Sequence, residues 1–293
     1  MATYVTSDIH GHVRALDRAL ESCALTSADS VVVLGDMIDR GPAPLEVVRL
    51  VRDLPRATVL MGNHEAMLLN ARIFESPRTQ MEWEMNGGFP TSEALRALPM
   101  EDQNDIIDWM SELPLSAVAL VEDQRASVIS ALAGGAYMRP HIFAHAGIDS
   151  ARLVSFLREN CLAPDVPVSA ASVDELMCAM ADQPDDDLLW IRDGFWGAHT
   201  GLIDETGMGA LVVSGHTTSL SLKAFAGSHM GGTGLDENER GCVVEVGASF
   251  ETAGEADRLC VDAAAANGHP FGRVAVVRLE DRRVFYSDVL EGE

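Results

Sequence analysis

The sequence predicts an α/β fold with a largely parallel sheet flanked by helices, and two observations carry the prediction. Five short apolar runs of strand length each end in a cluster of Asp, Asn, His and Gly. Between the first of these runs lie segments whose apolar residues recur at spacings of three and four. Strand, loop, helix and strand in that order imply right-handed crossovers, with helices covering the sheet. Ligands in such sheets sit beyond the carboxyl ends of the strands. The polar clusters fall there.

The first run, Tyr4-Val5-Thr6, precedes a helix marked by Val13, Leu16, Leu20 and Cys23. Val31-Val32-Val33-Leu34 precedes Leu45, Val48, Val51 and Leu54, and Thr58-Val59-Leu60-Met61 precedes Met67, Leu68, Ala71 and Phe74. Runs of β-branched residues without polar alternation read as strands buried on both faces. Residues 76–135 are mostly helical in pattern, most clearly at Asp105 to Met110, with Leu115 to Val121 as a further strand. No linker interrupts this stretch, so it reads as an elaboration of one domain spanning 1–293.

The fourth run is Ile142-Phe143-Ala144, followed by helical patterns around Leu153, Val154, Phe156 and Leu157 and around Leu176, Met177 and Met180. The acidic run Asp185-Asp186-Asp187 reads as a solvated loop. The fifth run is Ala210-Leu211-Val212-Val213, and the Gly-rich, charged residues 226–241 read as a surface loop. Val274 to Leu279 and Val284 to Val289 form a terminal hairpin pattern.

A formal net charge of −24 and a pI near 4.6 argue against non-specific binding to nucleic acid or anionic membrane. Cys23, Cys161, Cys178, Cys242 and Cys260 form no CxxC pair, which suits reduced thiols and argues against a structural zinc site. The N-terminus runs straight to Asp8 without a signal-peptide pattern, and no run of about 18 apolar residues exists for a membrane span. These features predict a cytoplasmic protein.

The clusters are Asp8-Ile9-His10-Gly11-His12, Gly35-Asp36-Met37-Ile38-Asp39-Arg40-Gly41-Pro42, Gly62-Asn63-His64-Glu65, His145-Ala146-Gly147 and Gly215-His216-Thr217. One histidine after a strand is more often a hydrogen-bonded structural residue than a ligand. Five clusters in order, each after a buried run, reverse that weighting. Carboxylate, imidazole and amide oxygen together suit manganese, iron or zinc rather than calcium. Two ions about 3.5–4 Å apart require a bridging carboxylate, and Asp36 is the best placed.

These clusters resemble the signature of the PPP-type serine/threonine protein phosphatases, bacterial and phage type, within the calcineurin-like metallophosphoesterases. The family pattern GDxHG, GDxxDRG, GNHE, HxG and GHT is met here as SDIHG, GDMIDRG, GNHE, HAG and GHT, from Asp8 to Thr217. Trp83, Asn86-Gly87-Gly88 and Thr91 resemble the WxxNGG segment of bacterial members, and Leu188-Leu189-Trp190-Ile191-Arg192 resembles LLWxR. The resemblance implies a central β-sandwich of mixed sheets flanked by helices, with the metal site at the strand carboxyl ends. It implies two divalent ions, manganese first with iron or zinc as alternatives. Asp8, His10 and Asp36 would hold one, and Asp36, Asn63, His145 and His216 the other.

The same resemblance makes His64 the general acid and Asp39 the acceptor of its hydrogen bond. Arg40, Arg192 and Asn63 would bind substrate. It implies a phosphomonoesterase acting on phosphoprotein or small phosphoesters by in-line attack of a metal-bridging hydroxide. Glu65 would orient the third cluster. His12, His141, His199, His229 and His269 receive no role, and Trp83 and Trp109 read as core.

Three departures stand out. Ser7 replaces the usual Gly, which a turn of negative φ tolerates, and Thr218 replaces the usual Pro. The strand that closes the site in bacterial members ends in DTGA, and the nearest counterpart here is Glu245-Val246-Gly247-Ala248, followed by a divergent rim over residues 245–270. Two rivals remain. One is a dinucleoside polyphosphate hydrolase, a relative that tends to read GNHD and lacks the Asp39-Arg40 pair. The other is a non-catalytic phosphate-recognition module.

Overall fold

The computed structural model describes residues 1–74, 76–125 and 135–293. Residues 126–134 of the 76–135 elaboration lie outside the described residues.

Among the described residues, ten strands build two five-stranded sheets: β1 Thr3–Thr6, β2 Ser30–Val33, β3 Ala57–Val59, β4 Ser116–Glu122, β5 Met138–Ala144, β6 Leu211–Ser214, β7 Val244–Val246, β8 Arg258–Cys260, β9 Arg273–Arg278 and β10 Arg283–Asp288. Their orders are β10-β9-β1-β2-β3 and β4-β5-β6-β8-β7. The strands β1, β2 and β3 run parallel, as do β5, β6 and β8. Antiparallel strands flank both trios. The single, largely parallel sheet expected from the run pattern is therefore two mixed sheets, as the resemblance implied. Periodicity locates strands but carries no pairing.

The apolar runs lack polar alternation because each residue has a cover on its own side. Val5, Val32, Leu34, Phe143, Leu211 and Val213 share one buried cluster between the sheets. Their neighbours Tyr4, Val31 and Val33 join a second cluster, and Ile142, Ala144 and Val212 a third. Alternate residues thus face alternate layers, as a pleated strand requires. The exception is β3, an edge strand whose Thr58 is exposed.

Helices α1 Val13–Cys23 and α2 Pro44–Arg52 bury Leu16, Leu20, Leu45 and Val48 against the outer face of the first sheet. Pro44 opens α2, where its missing N–H costs nothing. Helices α3 Asn63–Phe74, α4 Pro77–Trp83, α5 Phe89–Arg96 and α6 Met100–Ser111 follow. A π-type turn at Glu84–Gly88 joins α4 to α5 and contains Gly87 at φ 106°. A Cβ on Gly88 would stand 2.4 Å from the Trp83 indole, so glycine is what lets the turn close on that ring.

Two other expectations are corrected. Asp185, Asp186 and Asp187 form the first turn of helix Asp185–Trp190, where carboxylates meet the positive end of the helix dipole, and are not a loop. The strand that closes the second sheet beside β6 is β8, ending toward Asp262-Ala263-Ala264, whereas Val244–Val246 is the antiparallel edge. The segment that leaves the parallel strand beside β6 and reaches the metal pocket is therefore the one starting at Asp262, not residues 245–248. The hairpin and the helices predicted after β5 are present.

Candidate active site

Five of the six central strands lead directly into site residues. Chain leaving β1 carries Asp8 and His10, β2 leads to Asp36, β3 to Asn63 and His64 at the start of α3, β5 to His145, and β6 to His216. The sixth, β8, leads to Asp262, which lines the same pocket as Asp8, His10, Asp36, Asn63, His64 and His216. Sharp turns at these strand ends show in the backbone. Asp8 (φ 51°), His10 (47°), Asp36 (53°), Asp39 (70°), Arg40 (65°) and His216 (61°) all occupy the left-handed region. Such strain persists where surrounding contacts hold it, characteristically at functional sites.

Glycines make room for these turns. A Cβ on Gly215 would lie 2.0 Å from Asp8 Oδ2, and one on Gly62 would lie 2.3 Å from Asp36 Oδ1. Glu65 ties the second and third clusters together by accepting backbone N–H bonds from Asp36 (2.8 Å), Met37 (2.8 Å) and Gly62 (3.0 Å). Asp8 accepts from the Ser7 hydroxyl and from the His216 N–H (2.9 Å).

Hydrogen bonds fix which imidazole nitrogen faces the centre. The Nδ1 of His10 pairs with the Ile38 carbonyl (3.0 Å), and the Nδ1 of His145 with the Leu34 carbonyl (2.8 Å). A carbonyl accepts only, so each Nδ1 donates and each Nε2 is left with its lone pair. Both Nε2 atoms lie 3.5 Å from Asp36 Oδ2. The Asn63 Oδ1 sits 2.8 Å from His145 Nε2 and 2.9 Å from His216 Nδ1.

Two groups of ligand atoms, each within 4.8 Å of one another, share Asp36: one with His10 and His64, the other with His145 and His216. Burial holds His10, His145 and His216 well toward the neutral form. Burial first, and then the charge of Asp8, push the carboxyls of Asp36 and Asp262 far up. Neutral imidazoles and crowded carboxylates are what divalent cations bind and relieve. His216 Nε2 is also buried without a hydrogen-bond partner. The donor set fits divalent metal.

His64 is buried, and its Nδ1 lies 2.7 Å from Asp39 Oδ2. Asp39 is held in turn by the Trp83 indole N–H (2.9 Å), the Thr91 hydroxyl (2.6 Å) and its own N–H on Thr91 Oγ1 (2.9 Å). Arg40 Nη2 stands 3.1 Å from His64 Nε2. Arg40 and Arg192 line the metal pocket, which encloses about 190 Å³. Arg192 is half-buried, and that burial pulls its guanidinium below the usual range.

Every residue named from the sequence as a ligand, acid or clamp lies at or around this one pocket. Asp262 was missed. It ends an apolar run, Leu259-Cys260-Val261, by the same rule as the other clusters, but its lone carboxylate without His or Asn nearby gave a weaker signal. Trp83 and Thr91 were noted without a role, and both hold Asp39. Trp83 is core as expected, at 2% exposure. The five cysteines are free, and no helix among the described residues is long and apolar enough to cross a membrane.

Residues 1–236 match the family described as calcineurin-like phosphoesterase. The symmetrical bis(5'-nucleosyl)-tetraphosphatase of Dechloromonas aromatica (strain RCB) is 33% identical over 117 residues, 39% of this chain and 39% of that protein. Its namesake from Proteus mirabilis (strain HI4320) is 31% identical over 136 residues, 46% of this chain and 45% of that protein. The chain thus spans less than half the length of these relatives in the matched region. A solved structure described as a candidate diadenosine tetraphosphatase shares the fold at a TM-score of 0.50 and 17% identity, covering 99% of this chain and 94% of the other. On the family match and the geometry together, the chain belongs to the calcineurin-like phosphoesterases.

Proposed function

We propose that this chain hydrolyses phosphate esters and anhydrides at a pair of divalent cations held by Asp8, His10, Asp36, Asn63, His145 and His216, and that the bond it cleaves is an internal phosphoanhydride of dinucleoside polyphosphates. The observation that carries the reaction is Asp36, shared between two groups of ligand atoms beside two arginines. The substrate class is supported by the names of the curated relatives. Those names favour the dinucleotide alternative over the phosphoprotein expectation drawn from the motifs. The mixed oxygen and nitrogen donors put manganese first, with iron or zinc as alternatives.

Bound cations supply a nucleophile at neutral pH and offset phosphoryl charge. The chain's own residues do the rest. Arg40 and Arg192, which line the pocket, would present guanidinium forks to the substrate's phosphate oxygens. Asn63 holds one side of the cation site through its carbonyl oxygen. In this structure Nδ1 of His64 donates to Asp39 and Nε2 accepts from Arg40; as general acid His64 would carry a second proton on Nε2, released toward the departing oxygen with Arg40 turned to the phosphate. Arg40 beside Nε2 steers the phosphate toward that proton.

A second reading, protein serine/threonine phosphatase, is favoured by the Asp39–His64 pair itself. A serine or threonine alkoxide leaves poorly and needs the proton more than a nucleotide phosphate does. Turnover of diadenosine tetraphosphate, a phosphothreonine peptide and para-nitrophenyl phosphate by manganese-loaded protein tests both readings. Conversion of the dinucleotide to two nucleoside diphosphates at the highest kcat/KM is the expected result. Phosphate release from the peptide with the dinucleotide untouched would transfer the assignment to the second reading. No turnover of any substrate would leave a phosphate-recognition module.

A further inference from the structure

We propose that the cleft walled by Phe74 and Trp190 and floored by Trp83 binds a nucleobase of the substrate; this rests on the dinucleotide reading above. The cleft encloses about 300 Å³, and Asn86 and Trp190 line both it and the metal pocket, so a ligand can run from one into the other. Trp190 approaches His216 edge-on, with ring centroids 5.9 Å apart. It stands at the junction.

The wall chemistry selects a flat, uncharged occupant. Phe74 is 65% exposed and Trp190 40%, although both are large aromatics at element ends next to a catalytic pocket. Together with Met67 they offer ring faces and a polarizable thioether, the surfaces on which bases stack irrespective of sequence. Among the described residues no Lys or Arg lines the cleft, and Glu82 does. Phosphates are therefore repelled from it and drawn to Arg40 and Arg192 next door. A second cleft, which shares Arg40 and Ala266 with the metal pocket, is lined among the described residues by His12 but by no Phe, Tyr or Trp.

Two acceptors add a preference among bases. The amide nitrogen of Asn86 donates to the Glu82 carbonyl (2.8 Å), which leaves Oδ1 available as an acceptor. The Glu82 carboxylate is the other. Both suit a base carrying an exocyclic amino group, such as adenine.

The test is steady-state kinetics of Phe74→Ala, Phe74→Tyr and Glu82→Gln on diadenosine tetraphosphate and on base-free glycerol 2-phosphate. Loss of one stacking face raises KM for the dinucleotide about tenfold with kcat held. It changes the ratio of the two substrates' kcat/KM by the same factor. Phe74→Tyr, which keeps the ring, returns KM to near the wild-type value, as a merely structural residue would not require. Glu82→Gln raises KM for the adenine dinucleotide less than Phe74→Ala does. Cleavage of the dinucleotide with KM unaltered in Phe74→Ala overturns the cleft assignment alone. No cleavage of the dinucleotide by the wild type, with glycerol 2-phosphate hydrolysed, overturns the substrate reading and this assignment with it.

Discussion

His64 is 1% exposed, yet the hydrogen bonds around it leave one nitrogen facing the pocket. Asp39 fixes the tautomer, and Trp83 and Thr91 fix Asp39. A chain of buried, mutually satisfied polar groups holds one rotamer at little further cost in entropy. Asparagine at position 64 would keep the volume and lose the proton. His64→Asn is expected to lower turnover of an alkyl phosphomonoester by about 10²–10⁴-fold, with metal content by mass spectrometry unchanged. Full activity in that variant would remove His64 from the acid role.

At the scale of elements, the site is a product of where strands stop. The strands β1, β2 and β6 deliver short left-handed turns, and glycines let the strand-end turns pack closely. Alanine at position 215 would force a Cβ into the Asp8 carboxylate and the Ser7 side chain, both held by neighbours. Gly215→Ala is expected to cost about 1–3 kcal/mol of stability by crowding and to weaken metal retention, read by thermal melting with and without manganese. An unshifted melting temperature would mean that the turn adapts freely.

The strand β5 also carries His141, fully buried against Phe143, whose pKa burial pulls down to about 3 from 6.5. Below pH 6.5 the unfolded chain takes a proton there and the folded chain does not, so stability falls as pH drops toward about 3. The slope from this one group is about 1.4 kcal/mol per pH unit within that window. His141→Leu should therefore lose less stability than wild type between pH 6.5 and pH 4, measured by urea midpoints. Parallel pH profiles would contradict the assignment.

Much of this element layer was legible in the sequence. A strand buried on both faces leaves an unbroken apolar run, and a functional turn leaves polar residues after it; both signals are local. What stayed hidden depends on long-range pairing. Nothing in Val244–Val246 or Arg258–Cys260 by itself says which one lies beside β6, so the sequence does not point to Asp262. The run Asp185-Asp186-Asp187 was misread for a different reason: acidity looks like solvation until the helix that follows supplies a dipole for it.

At the scale of the whole molecule, a net charge of −24 surrounds a pocket for which a polyanionic substrate is proposed. Distant carboxylates repel the substrate, while Arg40 and Arg192 attract it only at close range. Raising ionic strength from about 10 mM to about 150 mM shortens the Debye length from about 30 Å to about 8 Å and so screens the first effect more than the second. Stopped-time assays should show kcat/KM rising with added salt, and a fall would mean that the two arginines dominate the approach.

The account turns on Asp36, which joins halves of the molecule that come from different sheets. Its carboxylate lies 3.5 Å from Nε2 of His10 on one side and of His145 on the other. The most direct test is the metal-to-protein ratio of wild type and Asp36→Asn after manganese loading and gel filtration, with circular dichroism as the check on folding. Two ions per wild-type chain, and the loss of at least one in a folded Asp36→Asn, is the result this geometry predicts. A wild-type chain that binds no manganese, or an Asp36→Asn chain that keeps both ions, would contradict it.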